Sequence, residues 1–240
     1  MVPAKSLVIL AVILVSSVVS APSAAAEWFA DLYGGAAFTQ SHHFSLDGKL
    51  DGVAVAGLIE DARYDPSFTV GGRSGYWFES VKVFGLGVDV SHFRPDISAQ
   101  TATGKGTITD STGVLFGVPV NVSGSGPVKL REVHLFITAL CFDFMLRWPM
   151  LASATFPNGQ LQPYVTAGPG LYLQHLERFD THATHGVQVG GGVLCELSRH
   201  LGVFTEYRYT HVRAALDSAG ITLRTHLSTH SLLGGLSLRY

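Results

Sequence analysis

Eight segments of this chain alternate between apolar residues and small or charged residues, and this alternation restricts the fold more than any other feature. Alternation with a period of two is typical of a β-strand that presents one face to an apolar environment. An even number of antiparallel strands returns both ends of a closed sheet to the same side. The predicted strands are residues 28–39, 67–78, 83–94, 133–147, 162–174, 185–198, 201–211 and 228–240.

The two faces of these strands have the opposite polarity to those of a soluble barrel. One face is apolar and aromatic, as at Phe84, Leu86 and Val88. The other face carries small residues and charges, and charged side chains are seldom buried without a partner. A lipocalin-like soluble barrel would need these faces exchanged, whereas a narrow transmembrane barrel keeps its polar side inside. We therefore predict an interior charge network that contains Asp31, Arg73, Asp89, Asp143, Glu196, Glu206, Arg208 and Arg239.

The connections between the predicted strands favour the same architecture. The second and sixth connections are tight turns at residues 79–82 and 199–200, whereas the first and third are much longer. Outer-membrane barrels have short periplasmic turns on one side and longer extracellular loops on the other. The sequence therefore predicts an all-β fold, an eight-stranded antiparallel up-and-down transmembrane β-barrel with long extracellular loops and short periplasmic turns.

The third connection contains a weaker alternating pattern of its own. Residues 114–122 alternate like a strand, and residues 101–109 could pair with them after a turn at 110–113. Threonines and Lys105 lie on the 101–109 segment, so neither of its faces suits contact with lipid. We expect a hairpin that projects above the membrane rather than two further barrel strands.

The first residues have the pattern of an export signal. Lys5 supplies a positive charge, residues 7–20 are apolar and uncharged, and residues 24–26 are small. The apolar run is shorter than the ~20 residues that a membrane-spanning helix needs. We predict a signal peptide at residues 1–26, which is cleaved to leave a barrel domain at residues 27–240.

The composition argues against a nucleic-acid partner, a cofactor and a metal. Charged residues make up 14% of the chain, the net charge is −2, and no basic stripe is present. Ten of the 11 histidines lie near the predicted extracellular end, but they lack the close spacing that is typical of a metal site. Cys141 and Cys195 are predicted on strands that are not neighbours and on opposite faces, so we expect no disulfide.

Several segments are similar to the broad family of small outer-membrane β-barrel domains, often called porin-like or OmpA-like. They are VGGRSGYWFE, GLGVDVSHFRPDI, QPYVTAGPGLYLQ, FTEYRYTH and THSLLGGLSLRY, and the resemblance extends over essentially the whole of residues 27–240. It implies a location in the outer membrane of a Gram-negative bacterium. The last segment resembles the assembly signal of such proteins, which implies that Leu236, Leu238 and Tyr240 are recognised by the barrel-assembly machinery.

One segment also resembles the lipid A 3-O-deacylases, another group of small barrels. Residues 206–211, EYRYTH, are similar to the strand end that precedes the His-x-Ser active site of those enzymes. His211 occupies the histidine position, but Arg213 stands where the nucleophilic serine belongs. A hydrolase of this type needs a hydroxyl within hydrogen-bond reach of its base. We therefore predict that the protein is not an enzyme and has no catalytic residues.

These observations predict an integral outer-membrane protein with a structural or surface-interaction role. Its loops are expected to contact lipopolysaccharide or external ligands, and an eight-stranded interior filled by side chains leaves no substantial open pore. The alternatives are a deacylase-like hydrolase at the outer rim and a weak channel for small solutes, and the oligomeric state is left open. The basic residues expected at the outer end are Arg94, Lys129, Arg131, Arg178, Arg213 and Arg224.

Overall fold

The computed structural model describes residues 27–40, 42–50, 53–110, 120–130, 132, 134–176, 182–218 and 221–240. The predicted signal peptide therefore lies outside the described residues. The strands in this part of the chain are β1 (Glu27–Thr39), β2 (His42–Leu50), β3 (Val53–Ala62), β4 (Ser67–Trp77), β5 (Phe84–Phe93), β6 (Gln100–Asp110), β7 (Val120–Leu130), β8 (Leu135–Arg147), β9 (Leu161–Leu176), β10 (His182–Glu196), β11 (Leu201–Ser218) and β12 (Ile221–Arg239). The described residues include no helix that is long and apolar enough to cross a membrane.

Eight of these strands close into an antiparallel barrel. They follow one another in the order β1-β4-β5-β8-β9-β10-β11-β12, and β12 pairs with β1 to complete the ring. The register of the closing pair places Ala30 opposite Leu238 and Phe38 opposite His230. The predicted eight-stranded barrel is confirmed, and each predicted barrel segment coincides with one of these strands to within a few residues at most of its ends.

The outer surface of the barrel is an apolar belt. Alternate residues of β8, including Leu140, Phe142 and Phe144, are exposed, while the residues between them are buried. The same pattern holds on β12, where Leu232, Leu236 and Leu238 face outward. A continuous exposed apolar belt of this kind is suited to lipid and unsuited to water.

The other four strands extend the sheet beyond the barrel. β2 pairs with the first residues of β12, β3 pairs with β2, and the hairpin β6–β7 follows at the edge of β3. The predicted strand at 101–109 is confirmed by β6, and its partner β7 shares residues 120–122 with the predicted partner at 114–122 and continues to Leu130. Residues 111–119 lie outside the described residues. The prediction of a loop for all of residues 40–66 was wrong, because β2 and β3 form a hairpin there.

Two barrel strands are longer than the sequence pattern suggests. β11 continues to Ser218 and β12 begins at Ile221, so residues predicted to form a loop are paired strand. These extensions carry the barrel wall upward into the sheet that β2 joins at residues 45–48. The lengthening has a simple physical cause, because paired backbone groups no longer need water or side chains to satisfy their hydrogen bonds.

Strands β8 and β9 approach each other closely at one glycine. A Cβ atom on Gly168 would lie 1.6 Å from the carbonyl oxygen of Phe142. The next residue is Pro169, which cannot donate a backbone hydrogen bond, and the described ladder between β8 and β9 is interrupted at this point. Gly168 is therefore required for the barrel wall to close here.

Candidate functional site

A cluster of charged side chains fills the middle of the barrel. Arg73 on β4 donates hydrogen bonds from Nε and Nη2 to Asp31 Oδ2 on β1, over 3.1 and 3.0 Å. Its Nη1 donates to Glu206 Oε2 on β11 over 3.0 Å. The Arg73 side chain is almost completely buried, so these contacts replace the water that a guanidinium would otherwise bind.

A second guanidinium completes this central cluster. Arg208 Nη1 and Nη2 donate to the two oxygens of Asp89 over 3.1 and 3.0 Å, and Arg208 Nε donates to Glu206 Oε1 over 2.8 Å. Tyr33 donates to the Asp89 carboxylate over 2.7 Å, and Tyr164 donates to Glu206 Oε2 over 2.9 Å. The central cluster is thus a single hydrogen-bonded network that joins strands from several sides of the barrel.

The central cluster holds more carboxylates than guanidiniums. Gln188 Nε2 donates to Asp143 Oδ1 over 2.7 Å, while Asp143 Oδ2 lies 4.0 Å from Arg73 Nη1 and makes no hydrogen bond within the described part of the chain. Four carboxylates, those of Asp31, Asp89, Asp143 and Glu206, therefore face two guanidiniums. Apart from Asp143 Oδ2, the remaining oxygens accept from amide and hydroxyl donors rather than from further cations.

A separate end cluster lies where the short turns join the barrel strands. Glu27 accepts hydrogen bonds from Arg147 Nη2 over 2.5 Å and from Arg239 Nη1 over 3.2 Å. Gln162 links this pair to Glu196, since it accepts from Arg147 over 3.1 Å and donates to Glu196 over 2.7 Å. The end cluster therefore contains two carboxylates and two guanidiniums.

The structure places all eight residues of the predicted network in the interior but divides them between the two clusters. Asp31, Arg73, Asp89, Asp143, Glu206 and Arg208 meet in the central cluster, and Glu196 and Arg239 belong to the end cluster. The sequence reasoning missed Glu27, Tyr33, Tyr164, Gln162 and Gln188 as partners. The alternation could have indicated them, because each lies on the inward register of its strand.

Apolar layers separate the two charged clusters and cover the central one, whereas the end cluster lines a cavity of about 370 Å³. On the side of the central cluster away from the end cluster lies a group of buried side chains formed by Phe93, Leu135, Ile137, Ala139, Cys141, Tyr172, Val212 and Leu227. Between the two charged clusters lies a second group, formed by Phe29, Trp77, Met145, Tyr164, Leu194 and Phe204, which belongs to the same apolar cluster as Tyr33 and Leu233 at the level of the central cluster. The cavity that remains there has a volume of about 10 Å³, which is room for about one water molecule. The interior is therefore packed in alternating charged and apolar layers, and it is less uniformly polar than the sequence suggested.

The predicted assembly-signal residues face away from this interior. Leu236, Leu238 and Tyr240 are all exposed on the outer face of β12 and at its end. The cysteines also lie apart, since Cys141 is buried in the interior, Cys195 lies on the outer face of β10, and both are free.

The outer rim brings His211 next to a serine that its sequence neighbourhood does not supply. His211 Nδ1 on β11 lies 3.1 Å from Ser228 Oγ on β12. Ser228 is buried, and Tyr209 donates to the same Oγ over 3.2 Å. In the described part of the chain no carboxylate contacts the His211 ring, so the third member of a catalytic triad is lacking there. Among the described residues, no group of three or more His, Cys, Asp or Glu is placed to hold a metal ion.

One ion pair links the two hairpins above the barrel. Lys105 Nζ on β6 donates to Glu60 Oε1 on β3 over 2.8 Å. This hydrogen bond lowers the pKa of the Glu60 carboxyl below its ordinary value. The pair lies across the β3–β6 ladder, in which Lys105 is the backbone partner of Leu58.

The comparisons with known proteins agree with this architecture. The family model described as "Outer membrane protein beta-barrel domain" matches residues 11–239. Similar solved structures include neisserial surface protein A, with 12% identity, a TM-score of 0.44 and coverage of 90% of this chain and 97% of that chain. OprG of Pseudomonas aeruginosa has 12% identity, a TM-score of 0.48 and coverage of 90% and 96%. Ail of Yersinia pestis has 11% identity, a TM-score of 0.37 and coverage of 90% and 100%. No curated protein matches the chain.

Proposed function

The chain belongs to the outer membrane protein β-barrel domain family, and from this premise we propose that it is a closed, non-enzymatic barrel that acts through its extracellular surface. In this proposal, the protein is exported by its signal peptide and anchored in the outer membrane of a Gram-negative bacterium. The barrel holds the hairpins β2–β3 and β6–β7 above the membrane, where they contact lipopolysaccharide or ligands outside the cell.

The sealed interior is the observation that carries this proposal. Arg73, Asp89 and Asp143 are at most 2% exposed, although each would bind water in an open channel. A pore of useful width would leave such side chains hydrated, whereas here they are hydrogen-bonded to one another. The function is therefore sought outside the barrel rather than through it.

The extracellular sheet supplies the surface that a partner would meet. Residues 121–130 of β7 are exposed along nearly their whole length, and Lys129 extends from this strand. The sheet is continuous with the barrel wall through the pairing of β12 with β2. A surface presented by an anchored scaffold is well suited to binding.

Envelope fractionation and electrical recording test the two parts of the proposal. We expect the protein in the outer-membrane fraction, with different migration on SDS gels before and after boiling, and we expect no single-channel conductance in planar bilayers. A soluble periplasmic protein without a mobility shift would refute the membrane anchor. Reproducible conductance steps from the folded protein would refute the closed barrel and favour the small-solute channel.

The contact between His211 and Ser228 is the one observation that favours a hydrolase. If that pair were catalytic, overexpression of the protein would remove an acyl chain from lipid A, and Ser228→Ala would abolish this change. We expect lipid A of unaltered mass from cells that overexpress the protein, because Ser228 is buried and already engaged by Tyr209.

A further inference from the structure

Histidines mark the upper edge of the apolar belt on five barrel strands. The outward register of β12 runs through Leu238, Leu236 and Leu232 before it reaches His230 and His226. Because side chains alternate along a strand, these histidines point away from the interior. In an outer-membrane barrel, the end of the apolar belt marks the level at which lipid chains give way to headgroups. The corresponding outward positions on the five strands are His92, His175, His185, His211 and His230.

On β11 and β12 this edge is organised by a first chain of hydrogen bonds. Gln40 Nε2 lies 2.8 Å from His230 Nε2, and an amide nitrogen can only donate, so His230 Nε2 accepts. The neutral ring then carries its proton on Nδ1, which lies 2.5 Å from the Tyr207 hydroxyl oxygen. The hydroxyl oxygen of Tyr207 accepts this hydrogen bond from His230, so the hydroxyl proton of Tyr207 points outward.

A second chain of hydrogen bonds lies beside the first, two residues further from the apolar belt along β11 and β12. Tyr209 donates to Ser228 Oγ, and Ser228 Oγ lies 3.1 Å from His211 Nδ1. With the Ser228 proton directed to Nδ1, the His211 ring carries its own proton on Nε2 and offers it to the outside. With these proton positions, both chains end in a donor on the outer face.

A cation and a third imidazole border these donors. Arg213 follows His211 on the outward register of β11, is exposed, and lies directly opposite His226 on β12. The rings of His211 and His226 are stacked, with centroids 5.8 Å apart and planes at 16°. Neither Arg213, His211 nor His226 makes a hydrogen bond or ion pair with a carboxylate in the part of the chain that the structure describes.

We propose that Tyr207, His211, Arg213 and His226 form a binding site for a phosphate group of an outer-leaflet glycolipid. Phosphate oxygens accept hydrogen bonds only, and this rim patch offers donors and a guanidinium, which binds phosphate well. The patch begins where the apolar belt ends, so the acyl chains of the same lipid can lie against Leu232 and Leu236. The site deepens the proposed function and rests on it, because it requires a barrel in the outer membrane.

The test compares the lipid retained by two matched double variants of the full-length protein. Arg213→Gln with His226→Gln alters the rim patch, and Arg94→Gln with His92→Gln makes the same chemical changes four strands away, across the barrel. Each protein is extracted from outer membranes in mild detergent, checked for its heat-dependent mobility shift, and examined by native mass spectrometry. Diphosphorylated or dephosphorylated lipid A, or inorganic phosphate, is then added to the stripped proteins.

We expect the wild-type protein and the β5 control to retain diphosphorylated lipid A, and the rim-patch variant to bind it at least tenfold more weakly. Dephosphorylated lipid A should bind to the wild-type protein no more tightly than diphosphorylated lipid A binds to the rim-patch variant. Equal binding by both variants, or displacement of the lipid by millimolar inorganic phosphate, would overturn the assignment. A wild-type protein that is heat-modifiable but retains no lipid A would refute this site while leaving the proposed function intact, whereas a protein absent from the membrane would refute the proposed function itself.

Discussion

Replacing Arg73 with methionine is expected to destabilise the folded barrel by about 3–5 kcal/mol, the cost of removing one partner from a buried ion pair. Arg73 makes two hydrogen bonds to Asp31 and one to Glu206, and its side chain is buried away from bulk water. Asp31 would keep only the Ser237 hydroxyl, which donates over 2.6 Å, and Glu206 would keep Arg208 and Tyr164. Because these partners remain, the expected decrease in the free energy of unfolding is smaller than the sum for three separate charged hydrogen bonds, which would be roughly 4.5–9 kcal/mol.

The free energy of unfolding can be measured by urea titration of the protein in lipid vesicles, followed by tryptophan fluorescence. Arg94→Met is the matched control, because Arg94 is 46% exposed and its ion pair with Asp96 lies at the rim, where such pairs contribute about 0–1 kcal/mol. A loss below about 1 kcal/mol for Arg73→Met, or an equal loss for both variants, would refute the argument that the central cluster stabilises the barrel through its ion pairs.

Three further predictions follow from the wall, the last strand and the hairpins. Gly168→Ala should lower barrel stability by about 1–3 kcal/mol or prevent folding, because its Cβ would meet a backbone oxygen, whereas Gly124→Ala in β7 has no atom within 4 Å and should be neutral in the same urea titration. Tyr240→Ala should reduce the amount of heat-modifiable protein in outer membranes without changing its urea midpoint, and an unchanged amount would contradict an assembly role. The pKa of Glu60 is lowered in the folded state, so its stabilising pair with Lys105 is present above the ordinary pKa of glutamate and is lost as the pH falls through the lowered value. Proteolysis of the hairpins in intact cells should therefore accelerate at acidic pH in the wild type but not in Glu60→Gln.

The barrel was predictable because its polarity pattern is imposed by lipid. Each spanning strand must present apolar residues to lipid at every second position. A charged residue such as Arg73 or Asp89 therefore indicates which face of its strand points inward. β7 carries no such requirement, because nearly all of residues 121–130 are exposed, whichever face they lie on. The segment VNVSGSGPVKL of β7 has low intrinsic strand preference, and only its pairing with β6 makes it a strand.

The clusters were predictable in membership but not in arrangement. Alternation identifies which side chains point inward, yet it does not give their height in the barrel. Glu27 and Arg239 meet although they lie at opposite ends of the domain, and this contact depends on the closing pair β1–β12. The partition into two clusters with an apolar layer between them also depends on strand stagger, which a one-dimensional pattern does not contain.

The central cluster selects the pairing register of the strands, which alternation alone does not determine. A slip of one residue between two strands would turn Arg73 toward lipid, but a slip of two residues would preserve every inward and outward face. Asp31 and Arg73, which form an ion pair, are direct partners in the β1–β4 ladder. A slip of two residues moves such a pair about 7 Å apart and leaves buried charges without partners. The charges therefore select one register among those that the apolar belt permits, and the same register places the histidine edge of β11 and β12 at a single height on the outer wall.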